Sequence, residues 1–123
     1  MVFTGSLRIN SEQLAILCAE LAADRKAEDV VALDLRGISS FTEFFVICSG
    51  TSEPHLKAIA AEIQERLKEE HAIGPQAVDG YPLSHWIVMD YREVIVHIFQ
   101  AQKRNFYSLE DLWSDATRLK LPA

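Results

Sequence analysis

Phe44-Phe45-Val46-Ile47-Cys48-Ser49-Gly50-Thr51-Ser52 is the stretch that decides the fold. Five consecutive apolar residues without alternation predict a strand covered on both faces, in the middle of a sheet. Ser49-Gly50-Thr51-Ser52 then reads as a turn that opens a helix, with Pro54 in the first helical turn, where its missing N–H costs nothing. Leu56, Ile59, Ala60, Ile63 and Leu67 follow at helical spacing, Glu62 and Arg66 pair at i,i+4 on the wet side, and Gly74-Pro75 ends the element. A strand running straight into an amphipathic helix points to the α/β class.

Towards the N-terminus, Val30–Leu35 reads as a strand, and the polar link from Arg36 to Thr42 is short enough for a hairpin. These two strands are therefore expected to be antiparallel neighbours. Asn10 and Gln13 have capping-box spacing, and Leu14, Leu17, Cys18 and Leu21 continue it as a helix over Ser11–Lys26. Towards the C-terminus, Gln76–Asp79 reads as a short edge strand. Trp86–Met89 and Val94–Phe99 read as strands around an Asp90–Glu93 turn, and Ser108 with Asp111 starts a final short helix. This order predicts a single α/β domain, a mixed β-sheet with flanking helices.

The whole chain has 123 residues, 49% hydrophobic and 24% charged, which fits one globular domain. The domain is placed at 11–115, between an N-terminal extension at 1–10 and a C-terminal tail at 116–123. No apolar run approaches the ~18 residues of a membrane span. Twelve basic against eighteen acidic residues leave a net charge of −6, so a grip on bare nucleic acid through phosphates is disfavoured. Association with an RNA-rich machine is expected to run through a basic protein component. Cys18 and Cys48 lack CxxC spacing and read as buried free thiols. The N-terminus has neither an apolar signal core nor a long Arg/Ser-rich presequence, which with the thiols points to the cytoplasm.

Candidate chemistry is sparse. Gly50, Thr51 and Ser52, with His55 nearby, form a candidate anion cradle at a helix start. They lack the Walker and GxGxxG fingerprints, so a strand-to-helix turn with a hydroxyl cap is the simpler reading. Nucleotidyltransferases use a similar glycine-serine turn but need closely spaced acidic ligands for two magnesium ions. Asp90 and Glu93 stand three apart in a hairpin and do not supply that pattern. His55, His71, His85 and His97 show no metal-ligand spacing; no metal, cofactor or catalytic set is expected, and His97 reads as a hydrogen-bonded sheet histidine. The strand at 86–91 is more informative. Its alternation sets Trp86, Val88 and Asp90 on one face and Ile87, Met89 and Tyr91 on the other. Trp, Tyr and Met are enriched at protein contacts because they bury much area at modest entropy cost.

Three ordered motifs resemble the ribosomal silencing factor family, also called Iojap-like. Asp29-Val30-Val31-Ala32-Leu33-Asp34-Leu35-Arg36-Gly37-Ile38-Ser39-Ser40-Phe41-Thr42-Glu43 continuing through Phe44–Ser52, with His55, matches the first. Trp86–Tyr91 with Val94–Phe99 matches the second, and Phe106–Trp113 the third. The resemblance implies a nucleotidyltransferase-like topology without known catalysis. It further implies binding to large-subunit ribosomal protein fourteen and a steric block of subunit joining, which represses translation when nutrients are short. Direct RNA contact is expected to be small, and homodimers are reported across the family. Trp86, Met89, Asp90 and Tyr91 are the contact positions the resemblance carries over, and Glu93 is added on electrostatic grounds. The alternatives are a nucleotide-binding or nucleotidyltransferase-related enzyme using Gly50, Thr51, Ser52 and His55, and a homodimer whose apolar patch is a self-interface. Two positions depart from the family pattern. Glu43 stands where aspartate is usual, and Arg92 where glycine is common; a turn keeping positive φ there costs arginine about 1 kcal/mol.

Overall fold

The computed structural model describes residues 9–80, 85–101 and 115–121. Helix α1 spans Ser11–Asp24 and helix α2 Glu53–His71. The strands are β1 (Glu28–Asp34), β2 (Phe44–Gly50), β3 (Ala77–Asp79), β4 (Trp86–Asp90), β5 (Val94–Gln100) and β6 (Thr117–Arg118). They form one mixed sheet in the order β3-β4-β5-β2-β1-β6. The α/β class, the antiparallel β1–β2 pair and the edge position of β3 agree with the sequence reading. The helix expected from Ser108 lies outside the described residues.

Local chemistry explains most boundaries. Asn10 accepts from the Gln13 N–H at 2.8 Å while Gln13 accepts from the Asn10 N–H at 2.9 Å, the reciprocal bonds of a capping box. Helix α2 ends at His71, before Gly74-Pro75, because Ala72 takes the left-handed conformation at φ 57°. The N–H groups of Ala72 and Ile73 then close back on Lys68 and Leu67 carbonyls. The pairing of β2 with β5 is parallel, a neighbour relation the sequence reading did not contain. Residues 117–121 pack on the domain. Thr117–Arg118 pairs with β1, the Leu119 N–H donates to the Ala32 carbonyl, and Leu119 and Leu121 pack on the main core.

Both sheet faces are apolar, which is why all seven residues of β2 are buried. One face carries Ala32, Phe44, Val46, Cys48, Ile87, Met89, Val94, Val96 and Ile98 beneath α1 and α2. The opposite face carries a smaller cluster of Leu33, Leu35, Phe45, Ile47 and Phe99, with Trp86 and Ile95 packed against it. Cys18 on α1 and Cys48 on β2 are both buried in the main core as reduced thiols. Burial, and then the proximity of Cys48, push the Cys18 thiol far up, so it stays protonated and inert.

Arg92 sits at φ 73° in the β4–β5 turn, so the turn keeps the positive φ that suits glycine. Arg92→Gly is accordingly expected to stabilise the domain by about 1 kcal/mol. Denaturant unfolding checks it; a variant no more stable than the parent contradicts the strain.

Candidate functional site

The period-two pattern of β4 places its side chains as the sequence alternation requires. Ile87 and Met89 are buried under the helices, and Tyr91, just past the strand, joins them there at 4% exposure. Trp86, Val88 and Asp90 are partly exposed on the opposite side. Met89 and Tyr91 therefore present no outer surface to a partner and serve as the backing of the strand. The five expected contact residues are divided by the fold rather than gathered by it.

Asp90 is occupied in holding the hairpin. One carboxylate oxygen accepts from the Arg92 N–H at 2.7 Å and the other from the Gln76 side-chain amide at 2.9 Å. Its backbone carbonyl accepts from the Gln76 N–H at 2.8 Å. This is a turn-capping role, so reversing the charge of Asp90 would disrupt the hairpin and any contact together. Glu93 is exposed at the turn, and its carbonyl takes the N–H groups of Glu43 and Phe44, tying the turn to the start of β2. Trp86 lies about 13 Å along the strand from Asp90.

Trp86 is the most strongly positioned of the set. Its indole N–H donates to His97 Nδ1 at 3.1 Å. The indole stacks on Phe99 with centroids 5.0 Å apart, and His97 meets the edge of Phe45 at 4.5 Å. The line of rings continues to Phe41, 6.2 Å from Phe45. Because Nδ1 accepts, the neutral ring carries its proton on Nε2. Burial pushes the His97 pKa down to about 4, and protonating Nδ1 would also break the bond from Trp86.

A folded-state pKa below the unfolded value means the unfolded chain takes up this proton first. The contribution of His97 to stability is then complete above about pH 6.5 and falls as pH drops towards 4, by up to about 3 kcal/mol. Unfolding curves across that window are expected to show a shallower pH slope in His97→Gln than in the parent. Identical slopes contradict the assignment.

The Gly50-Thr51-Ser52 turn is tied to His55. The Ser52 hydroxyl accepts from the His55 N–H at 3.3 Å, and the Thr51 N–H donates to His55 Nδ1 at 2.9 Å. His55 Nε2 then carries the proton and donates to the Arg25 carbonyl at 2.7 Å, clipping the start of α2 to the end of α1. Pro54 has no N–H to offer. Gly50, Thr51, Ser52 and His55 thus form a structural clip in which Ser52 caps α2, as the hydroxyl-cap reading expects. Among the described residues, no group of three or more His, Cys, Asp or Glu side chains is placed to hold a metal ion. No helix among them is long and apolar enough to cross a membrane.

One feature was not singled out from the sequence. The β1–β2 loop and the β4–β5 turn enclose an open groove of about 530 Å³, lined in part by Arg36, Phe41, Glu43, Arg92 and Glu93. Phe41 beside this groove and Ile38 are the large apolar side chains left exposed among the described residues, at 60% and 47%. The signal was present in the Gly37-Ile38-Ser39-Ser40-Phe41 run, two large apolar residues in an otherwise polar turn.

Residues 8–123 match the model of the family described as "Ribosomal silencing factor during starvation". The chain is 38% identical over 113 residues to the ribosomal silencing factor of Halalkalibacterium halodurans, covering 92% of this chain and 96% of the relative. It is 36% identical over 108 residues to that of Bacillus subtilis, covering 88% and 91%. A chloroplastic Iojap protein of Arabidopsis thaliana is 30% identical over 121 residues, covering 97% of this chain and 50% of that one. A crystal structure from Bacillus halodurans superposes with a TM-score of 0.75 at 38% identity, covering 91% of this chain and all (100%) of that one. One from Chromobacterium violaceum superposes at 0.82 with 24% identity, covering 94% of each chain, and speaks to the fold alone.

Proposed function

Since the chain belongs to the ribosomal silencing factor family, we propose that it docks on the large ribosomal subunit through ribosomal protein fourteen and holds the two subunits apart. Standing on the surface that meets the small subunit, it lowers translation by occlusion. No chemical step is required of it. The observation that carries this reading is the fixed tryptophan. Trp86 is held by Phe99 and by the His97 hydrogen bond before any partner arrives, so little rotamer entropy remains to be lost on docking. Partly exposed and rigid, it has the character of an interface anchor. Exposed Glu93 and the net charge of −6 favour a basic protein surface as the partner.

The direct test is retention of purified ribosomal protein fourteen by the immobilised protein at low salt and at about 0.5 M salt. Retention at low salt that weakens at high salt is expected. No retention at either concentration rejects the proposed partner.

A further inference from the structure

The groove between the β1–β2 loop and the β4–β5 turn has one exposed apolar side chain, Phe41, in its lining and carboxylates in and around it. Phe41 and Ile38 protrude from the loop. The loop that carries them is pinned at its base. Arg36 makes a two-pronged contact with Asp34, at 2.7 and 3.0 Å, reaches Glu12 on α1 at 3.3 Å and lies 4.9 Å above the Phe44 ring. Further along, the Phe41 N–H donates to the Ser39 hydroxyl at 3.3 Å, and the Leu35 N–H to the Glu43 carbonyl at 2.8 Å. Ser11 on α1 bonds Glu43 from the other side. Such a loop presents its apolar side chains with little ordering left to do on binding.

The charge of the surround selects the partner. The groove's own lining is balanced, Glu43 and Glu93 against Arg36 and Arg92, and the negative excess comes from the carboxylates next to it: Asp34 and Glu12 on Arg36, and Asp90, which accepts from the Arg92 N–H. A phosphate backbone would meet a net negative field here, whereas a cationic chain would be drawn to it. An aromatic ring at the rim adds a face for an arginine or lysine head group as well as an apolar contact.

We propose that this groove receives a lysine- or arginine-rich polypeptide segment of the large subunit, with an apolar side chain on Phe41 and Ile38 and a cation facing Glu93. The inference rests on the ribosome-docking reading and adds to it a second anchor, at the opposite end of the sheet face from Trp86. Docking then engages two separate points, Trp86 and the Phe41 rim, with the rings between them buried in the domain.

The test uses purified large subunits and the full chain. A benzophenone amino acid in place of Phe41 is irradiated in the complex, and the cross-linked product is identified by mass spectrometry. A peptide of net positive charge from a ribosomal protein is the expected result. Cross-linking to ribosomal RNA, to a second copy of this chain or to an uncharged or acidic peptide overturns the proposal. So does absence of any cross-link from a chain that co-sediments normally. In parallel, Ile38→Ser/Phe41→Ser and Glu93→Lys are each expected to weaken co-sedimentation at least tenfold with unchanged thermal melts. Glu69→Lys, the same charge change on an exposed position of α2, is expected to stay within twofold of the parent. Parent-like binding by the loop variants overturns this proposal and leaves the docking reading standing. Failure of the unmodified chain to co-sediment at all removes both.

Discussion

Trp86→Ala weakens co-sedimentation with large ribosomal subunits at least tenfold while the domain remains folded. Tenfold corresponds to about 1.4 kcal/mol, at the low end of what a buried aromatic anchor contributes to an interface. The substitution also acts inside the domain. It removes the stack on Phe99 and leaves His97 Nδ1 without the indole donor, a cost of about 1–3 kcal/mol for an unmade buried hydrogen bond. A domain with typical stability of about 5–15 kcal/mol tolerates that loss. Trp86→Phe separates the two effects, since it keeps a ring against Phe99 and loses only the N–H. Thermal melts and sedimentation of both variants form the check. Folded Trp86→Ala that co-sediments like the parent would remove tryptophan from the docking surface.

A large change in stability is also expected from one methyl group. A Cβ added at Gly50 would stand 2.7 Å from Leu56 Cδ1 and 3.2 Å from His55 Nδ1. Neither neighbour is free to retreat. Leu56 is fully buried in the helical layer, and His55 is tied to Thr51 through one nitrogen and to the Arg25 carbonyl through the other. Gly50→Ala must therefore shift the start of α2 against the end of β2, an overpacking cost of about 2 kcal/mol. The melting temperature is expected to fall by roughly 6–8 °C. Gly74→Ala, with nothing within 4 Å of the added atom, is the matched control and is expected to leave the melt unchanged. Equal melts for the two variants contradict the close packing of the turn.

What was legible in the sequence was whatever depends on near neighbours along the chain. The Asn10–Gln13 box, the Pro54 helix start and the alternation at Trp86–Tyr91 are local patterns, and the structure reproduces each. The unbroken apolar run Phe44–Cys48 correctly implied a strand covered on both faces. What the reading lacked depends on long-range pairing or on one residue's backbone. The parallel β2–β5 contact joins segments some fifty positions apart, and β6 is two residues long, with no periodicity to detect. Ala72 adopts a left-handed cap that no glycine advertised.

The candidate site was legible as a strand but not as a surface. Alternation could place Met89 and Tyr91 opposite Trp86, yet it could not say which face α1 and α2 would cover. Nor could it show that Asp90 is consumed by Arg92 and Gln76. The loop carrying Ile38 and Phe41 looked like turn chemistry alone. Its exposure follows from the way Arg36 and Glu43 tie its two ends to the rest of the domain.

Mixing purified small and large subunits at fixed magnesium, with increasing amounts of this protein, measures occlusion without intermediaries. Light scattering should show the joined fraction falling as the large subunit becomes occupied, and gradients should place the protein on free large subunits. Joined ribosomes forming in undiminished yield while carrying the bound protein would contradict the account at its centre.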